Sequence, residues 1–177
     1  MQYLTQDELT RLLTVAYQRN RHYHLALLVG FWHGARVSEI NNLRGTDFTA
    51  DGSIILRRLK GSRTSVQPIH RDDNPIFDES PVLELARTRK GLRLWEITRQ
   101  RFDQIIKSYC VEADIHPAKA HMHCLKHTTA MTLWGQTQSL GMIQSYLGHV
   151  SAGSTLAYLY EADASKAQSV MANVRIG

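Results

Sequence analysis

Residues 121–130 read HMHCLKHTTA, which places three histidines, a cysteine and a lysine within seven positions. On a helix, His123 and Lys126 are three residues apart and share a face, with His127 four residues from His123. Three kinds of chemistry compete for this stretch. A zinc site would use His123 and His127, with His121 or Cys124 in reserve, but the acid of an H-E-x-x-H motif is missing and no matching ligand motif stands elsewhere. A packed helix start would use His127 only for packing or capping. An anion site fits the residue types better than zinc, because free amides, partial positive charge and cationic side chains at a helix N-terminus all favour one anionic ligand.

Other polar positions raise the same question. Arg36 follows Gly34 and Ala35, small residues that let a second backbone or a ligand approach closely. Glu39 lies three residues on, as a buried ion-pair partner of Arg36 or as the group that orients it. Lys60 precedes Gly61 at a turn, where a lysine is ordinarily only solvated. Gly148 ends a helix and leaves His149 in a turn. Tyr158 follows nine residues later; taken alone it reads as a packed aromatic, with Tyr146 and Tyr160 as competitors for any tyrosine chemistry. Trp32, Trp95 and Trp134 read as core residues rather than base-stacking groups.

These side chains need a scaffold, and the pattern predicts a mostly helical one. Thr5 and Glu8 have capping-box spacing ahead of a stripe formed by Leu9, Leu12 and Leu13. HYHLALLVGFWHG predicts a buried helix ending near Gly34, and ARVSEINNL a short one. SIILRRL and SVQPI, separated by KGSRT, predict a two-stranded hairpin over Ser53–Ile69, with a third short strand near Asp47. Further helices are predicted over Pro81–Thr88, Thr98–Ala113, His123–Trp134, LGMIQSYLG and Thr155–Tyr160, with another from Ser165; Pro117 marks a loop.

Composition bounds the function. The chain of 177 residues is 43% hydrophobic and 21% charged, an ordinary globular balance sufficient for one domain. No run reaches the length of a membrane span and no signal peptide is visible at MQYLTQDELT. Cys110 and Cys124 suggest no disulfide scaffold, so a reducing cytoplasm is expected. The net charge of +5 mildly favours a polyanion. Its distribution says more: Arg57, Arg58, Lys60, Arg63 and Arg71 precede the first acid of that region, Asp72, and Arg87, Arg89, Lys90, Arg93, Arg99 and Arg101 form a second basic region. Both also fit solvated faces.

The order of the motifs is more specific than any one of them. ARVSEI, a lysine on a basic hairpin, HCLKH, LGH and a tyrosine nine places on resemble the catalytic domain of the tyrosine recombinase (phage integrase) family, from YLTQDEL to the segment around Tyr158. The resemblance implies the DNA breaking-rejoining fold, mainly α with a small antiparallel β-sheet, over residues 1–177. Residues 165–177 would be a protomer-docking tail, since Ala167, Val170, Met171 and Val174 form an apolar stripe; packing on its own domain is the alternative. The chain begins where such catalytic domains begin, so no N-terminal core-binding domain is expected within it. By the same resemblance Arg36, Lys60, His123, Lys126, His149 and Tyr158 are the catalytic set, and Arg57, Arg58 and Arg63 are candidates to touch DNA.

The implied chemistry is site-specific strand cleavage and rejoining through a 3′-phosphotyrosyl intermediate, with no cofactor and no metal. The implied agent is a phage or mobile-element integrase in a bacterial cytoplasm or nucleoid. Its partners would be double-stranded DNA with a specific site, further copies of the chain in a tetramer and accessory DNA-bending proteins, with no membrane. One position departs from the pattern: Lys126 stands where the family has its second arginine. A lysine keeps the charge but not the planar fork. The alternative is therefore a weakened or inactive DNA-binding protein of the same fold.

Overall fold

The structure is a computed structural model that describes residues 2–59, 62–150, 153 and 156. Helix α1 (Gln6–Arg19) begins with the expected capping box: Thr5 Oγ1 accepts from the Glu8 amide at 3.2 Å, and Glu8 Oε2 accepts from the Thr5 amide at 2.7 Å. Such a cap stabilises a helix by about 1 kcal/mol. A single extended residue, Asn20, ends α1 and starts α2 (Arg21–Trp32), its side-chain oxygen accepting from the amides of His22 and Tyr23. Helix α2 is buried from His24 to Phe31, as its nearly unbroken apolar run requires, and packs against α1 and α6.

After α3 (Val37–Asn42) and a 3₁₀ turn at Gly45–Asp47 comes the hairpin, β1 (Ser53–Leu56) against β2 (Ser65–Pro68), antiparallel with Ser53 opposite Pro68 and Leu56 opposite Ser65. The third strand expected near Asp47 is only an isolated bridge between Phe48 and Ile54. The first strand is three residues shorter than SIILRRL predicts. Arg57 turns outward to pair with Asp47 and Arg58 turns into the interior, so neither continues the ladder.

Up to residue 150 the remaining described helices are α4 (Val82–Thr88), α5 (Arg99–Glu112), α6 (Met122–Thr137) and α7 (Leu140–Leu147), with a 3₁₀ turn at Pro117–Lys119. The main core joins Leu9, Leu12 and Leu13 of α1 to α2, to Phe102, Ile105 and Ile106 of α5 and to Leu125 of α6. A smaller cluster of Ala130, Ile143 and Leu147 fastens α7 to α6. The fold is mostly helical with one two-stranded sheet, as expected, and no helix among the described residues is long and apolar enough to cross a membrane. Lys60, Tyr158 and the tail from Ser165 lie outside the described residues; of the helix expected over Thr155–Tyr160 only Leu156 is described, and it is helical.

Candidate active site

The site is organised around the bend Gly34–Ala35–Arg36 between α2 and α3. Gly34 has φ +55°, and a Cβ there would run into the Leu147 side chain, so the bend requires glycine on both counts. The Gly34 carbonyl consequently faces inward and accepts from Lys126 Nζ at 2.9 Å and from Arg58 Nη1 at 3.1 Å. Arg36 is the N-cap residue of α3. Its amide donates to Glu39 Oε2 at 2.8 Å and its Nη1 to Glu39 Oε1 at 2.7 Å. The Arg36 side chain is 22% exposed while Glu39 is buried, so the pair anchors the arginine stem and leaves part of its fork towards solvent. Both sequence readings of Glu39 hold together: it is buried, and it orients the arginine.

Burial alone would raise the Glu39 pKa. The amides of Arg36 and Leu59, the Arg58 charge and the Arg36 side chain outweigh that and hold it below the usual carboxylate range. Glu39 is thus the anion of a group otherwise made of cations.

Lys126 comes from α6 and is 1% exposed. Burial, followed by the charges of Arg58 and Arg36, lowers its pKa to about 7 against the opposing pull of Glu39. Near pH 7 its charge is therefore not fixed as that of a solvated lysine is. The sequence suggested a lysine that keeps the positive charge but not the fork of the family's arginine. The structure instead has a buried amine whose proton is loosely held.

The rest of HMHCLKHTTA divides its labour. His121 is the N-cap of α6, with Nδ1 accepting from the Cys124 amide at 3.1 Å. His123 sits exposed in the first turn and lines a shallow cleft with Val37, Arg99, Asp103 and His121. His127 is buried, its ring edge-on to His123 at 4.5 Å, and burial lowers its pKa to about 4. One histidine caps, one packs and one faces the surface.

His149 follows α7 in the turn expected from Leu-Gly-His. Gly148 has φ +68°, and a Cβ on it would sit 2.6 Å from the Arg63 carbonyl, again a position for glycine. The His149 amide donates to the Gln144 carbonyl at 2.9 Å and closes the helix. The ring is buried, and burial together with the charges of Lys126, Arg36, Arg58 and His123 lowers its pKa to about 4. It is neutral at pH 7, with one donor and one acceptor nitrogen. The Arg63 amide donates to the Gly148 carbonyl at 2.9 Å, which ties the hairpin carrying Lys60 to this turn.

Arg36, Lys126, His123 and His149 therefore come together from three elements separated in sequence. Of the basic hairpin residues, Arg63 is exposed, and Arg57 is 67% exposed and paired with Asp47. Arg58 corrects the expectation of a DNA contact: its side chain is 0% exposed, and its guanidinium bonds interior carbonyls and Glu39. Tyr146 is removed from competition as a nucleophile. Its hydroxyl donates to the Trp32 carbonyl at 2.8 Å, and burial raises its pKa to about 12. Trp32 and Trp95 donate their indole N–H groups to the carbonyls of Phe77 and His22, as structural residues do.

A buried polar group behind the site is not legible in the sequence. His33 bonds Gln67 Oε1 at 2.7 Å and Glu79 Oε1 at 2.9 Å, and Gln67 donates to the Tyr146 carbonyl at 2.8 Å. No spacing rule links residues so far apart in the chain.

Comparison with known proteins bears on the family and the fold. The phage integrase family model matches residues 2–165. The chain is 30% identical over 146 residues to the type 1 fimbriae regulatory protein FimE of Escherichia coli K12, covering 75% of this chain and 71% of that one. It is 30% identical over 165 residues to tyrosine recombinase XerA of Thermococcus kodakarensis, covering 88% of this chain but 56% of that one. The catalytic domain of bacteriophage HP1 integrase has the same fold, with a TM-score of 0.69 at 23% identity, covering 98% of this chain and 95% of that one.

Proposed function

The chain belongs to the phage integrase family, the tyrosine recombinases that cleave and rejoin DNA in site-specific recombination, and from that premise we propose that it does so itself through a 3′-phosphotyrosyl intermediate with Tyr158 as nucleophile. The observation that carries the reading is the convergence of Arg36, Lys126, His123 and His149 around one bend, beside the hairpin that bears Lys60.

In this reading the Tyr158 oxygen attacks the scissile phosphorus and the 5′-oxygen leaves. Lys60 protonates the leaving oxygen and His123 assists proton loss from the tyrosine. Arg36 and Lys126 meet the charge that builds on the non-bridging oxygens, and neutral His149 donates a hydrogen bond to one of them. The energy of the broken bond stays in the phosphotyrosine, so a 5′-hydroxyl from a partner strand reverses the step without a cofactor or a metal.

The substrate would be a duplex with a specific recombination site belonging to a phage or other mobile element, in a bacterial cytoplasm. Copies of the chain would assemble as a tetramer on it, with residues 165–177 docking on a neighbour and accessory proteins bending the DNA. Among the described hairpin residues, Arg57 and Arg63 are the exposed cations available to phosphates.

A second reading, weakened cleavage or DNA binding alone, is favoured by Lys126. It lacks the arginine fork, is 1% exposed and is partly neutral near pH 7. Losing one well-placed donor costs about 3 kcal/mol, on the order of a hundredfold in rate. The test is a nicked suicide duplex carrying the cognate site, run with excess EDTA and with Tyr158→Phe alongside, and read as a covalent adduct on a denaturing gel. An adduct that survives EDTA and is lost in the variant supports cleavage. DNA binding without adduct under any condition supports the second reading.

A further inference from the structure

Arg58 lies two residues beyond the end of β1 and points into the protein. A buried arginine is unfavourable unless its donors are met and its charge is paired. Here Nη2 donates to the His33 carbonyl at 2.7 Å and to the Tyr146 carbonyl at 3.2 Å. Nη1 donates to the Gly34 carbonyl at 3.1 Å and to Glu39 Oε2 at 3.3 Å. One fork thus joins the end of α2, the first turn of α3 and the last turn of α7.

Each acceptor leads to a group of the site. Glu39 holds Arg36 through its other oxygen, and the Gly34 carbonyl is the acceptor of Lys126. Tyr146 lies three residues before His149, and a Cβ on Gly148 would come within 3.1 Å of Arg58 Cγ, so the turn is seated on the arginine stem. Arg36, Glu39, Lys126 and His149, from three elements or their flanks, all interact electrostatically with this guanidinium.

We infer that Arg58 is a positioning residue of the cleavage site: from beneath, it fixes Glu39 and through it Arg36, and it fixes the carbonyls that seat Lys126 and the His149 turn. The inference rests on the cleavage activity proposed above. Arg58 itself touches no DNA. The role needs a planar fork, because the three donors of a lysine radiate from one atom and do not span the His33, Tyr146 and Glu39 acceptors together.

The experiment measures single-turnover adduct formation, duplex affinity and thermal stability in the full chain for wild type, Arg58→Lys and Arg58→Met. Both variants are expected to lose ten- to a hundredfold in adduct rate, the scale of an ångström-level misplacement, with duplex affinity within about twofold of wild type. In Arg58→Met the fall of the rate at alkaline pH moves to higher pH, because a cation facing Lys126 is gone. In Arg58→Lys that fall stays in place, since the charge is kept. A purely structural role would lower thermal stability and duplex affinity in step with the adduct rate. If Arg58→Met does not fold, Arg58→Lys carries the test through its rate and unmoved pH limb. A wild-type rate in a folded Arg58 variant, or an affinity loss as large as the rate loss, overturns the inference while the cleavage reading stands. A wild-type chain that binds its site and forms no adduct overturns both.

Discussion

The perturbation that addresses the site most directly is the titration of Lys126. Its amine is buried beside Arg58 and Arg36, which lowers its pKa to about 7. A lysine with a lowered pKa is charged below that value and neutral above it. If only the charged form meets the phosphate, the active fraction falls from ~0.9 at pH 6 to ~0.1 at pH 8, about tenfold or ~1.4 kcal/mol of barrier. The opposing pull of Glu39 is already contained in this value.

Bound DNA would draw the pKa upward, so the assay uses duplex well below saturation, where the second-order rate of adduct formation reports the free protein. His149 and His127, both lowered to about 4, stay neutral throughout this range and add no slope. Dividing each rate by that of Lys126→Arg, which cannot lose its proton, removes the slopes of the remaining groups. The expected ratio falls about tenfold over the two pH units. A ratio flat within a factor of two would refute the reasoning: either Lys126 is charged throughout or its charge does not meet the phosphate.

Two further outcomes follow from burial. Gly34→Ala forces a Cβ against the Leu147 side chain at φ +55°, and should cost about 2 kcal/mol or more in stability by denaturant melting, with adduct formation lost even in the folded fraction. Cys110 and Cys124 are buried, and burial raises their pKa values to about 12 and about 11, so at pH 8 a thiol reagent should label them at the rate of unfolding; complete labelling of the native chain within seconds would contradict the packing between α5 and α6.

What the sequence disclosed was local. The capping box at Thr5, the apolar run of α2, the stripe of Phe102, Ile105 and Ile106 and the glycine turns before Arg36 and His149 are all written within a few neighbouring residues. The gathering of Arg36, His123, Lys126 and His149 was legible only through the order and spacing of weak motifs, because no single one distinguishes a phosphate group from a solvated face. Arg58 shows where local reading fails. In SIILRRL it alternates like any strand residue and looks like one more surface cation of a basic hairpin. Its inward turn is decided by the carbonyls of His33, Gly34 and Tyr146, up to 88 residues away, which need a donor once α2 and α7 meet. Its burial then ends the strand early. The shift of Lys126 follows from the same arrangement and could not be read before Arg58 was placed.

That arrangement also gives a physical reason for lysine at position 126. The guanidinium groups of Arg36 and Arg58 already bond the one carboxylate of Glu39. A third permanent cation at a position 1% exposed would leave two positive charges unbalanced in the interior of the free protein. A lysine avoids that by releasing its proton near pH 7. An incoming phosphodiester supplies the missing negative charge and so favours the protonated amine. Under the proposed chemistry the cation cluster would therefore become fully charged only when DNA occupies it, and substrate binding would be linked to uptake of up to one proton. The departure from arginine then reads as the counterpart of a buried Arg58 rather than as decay of the site.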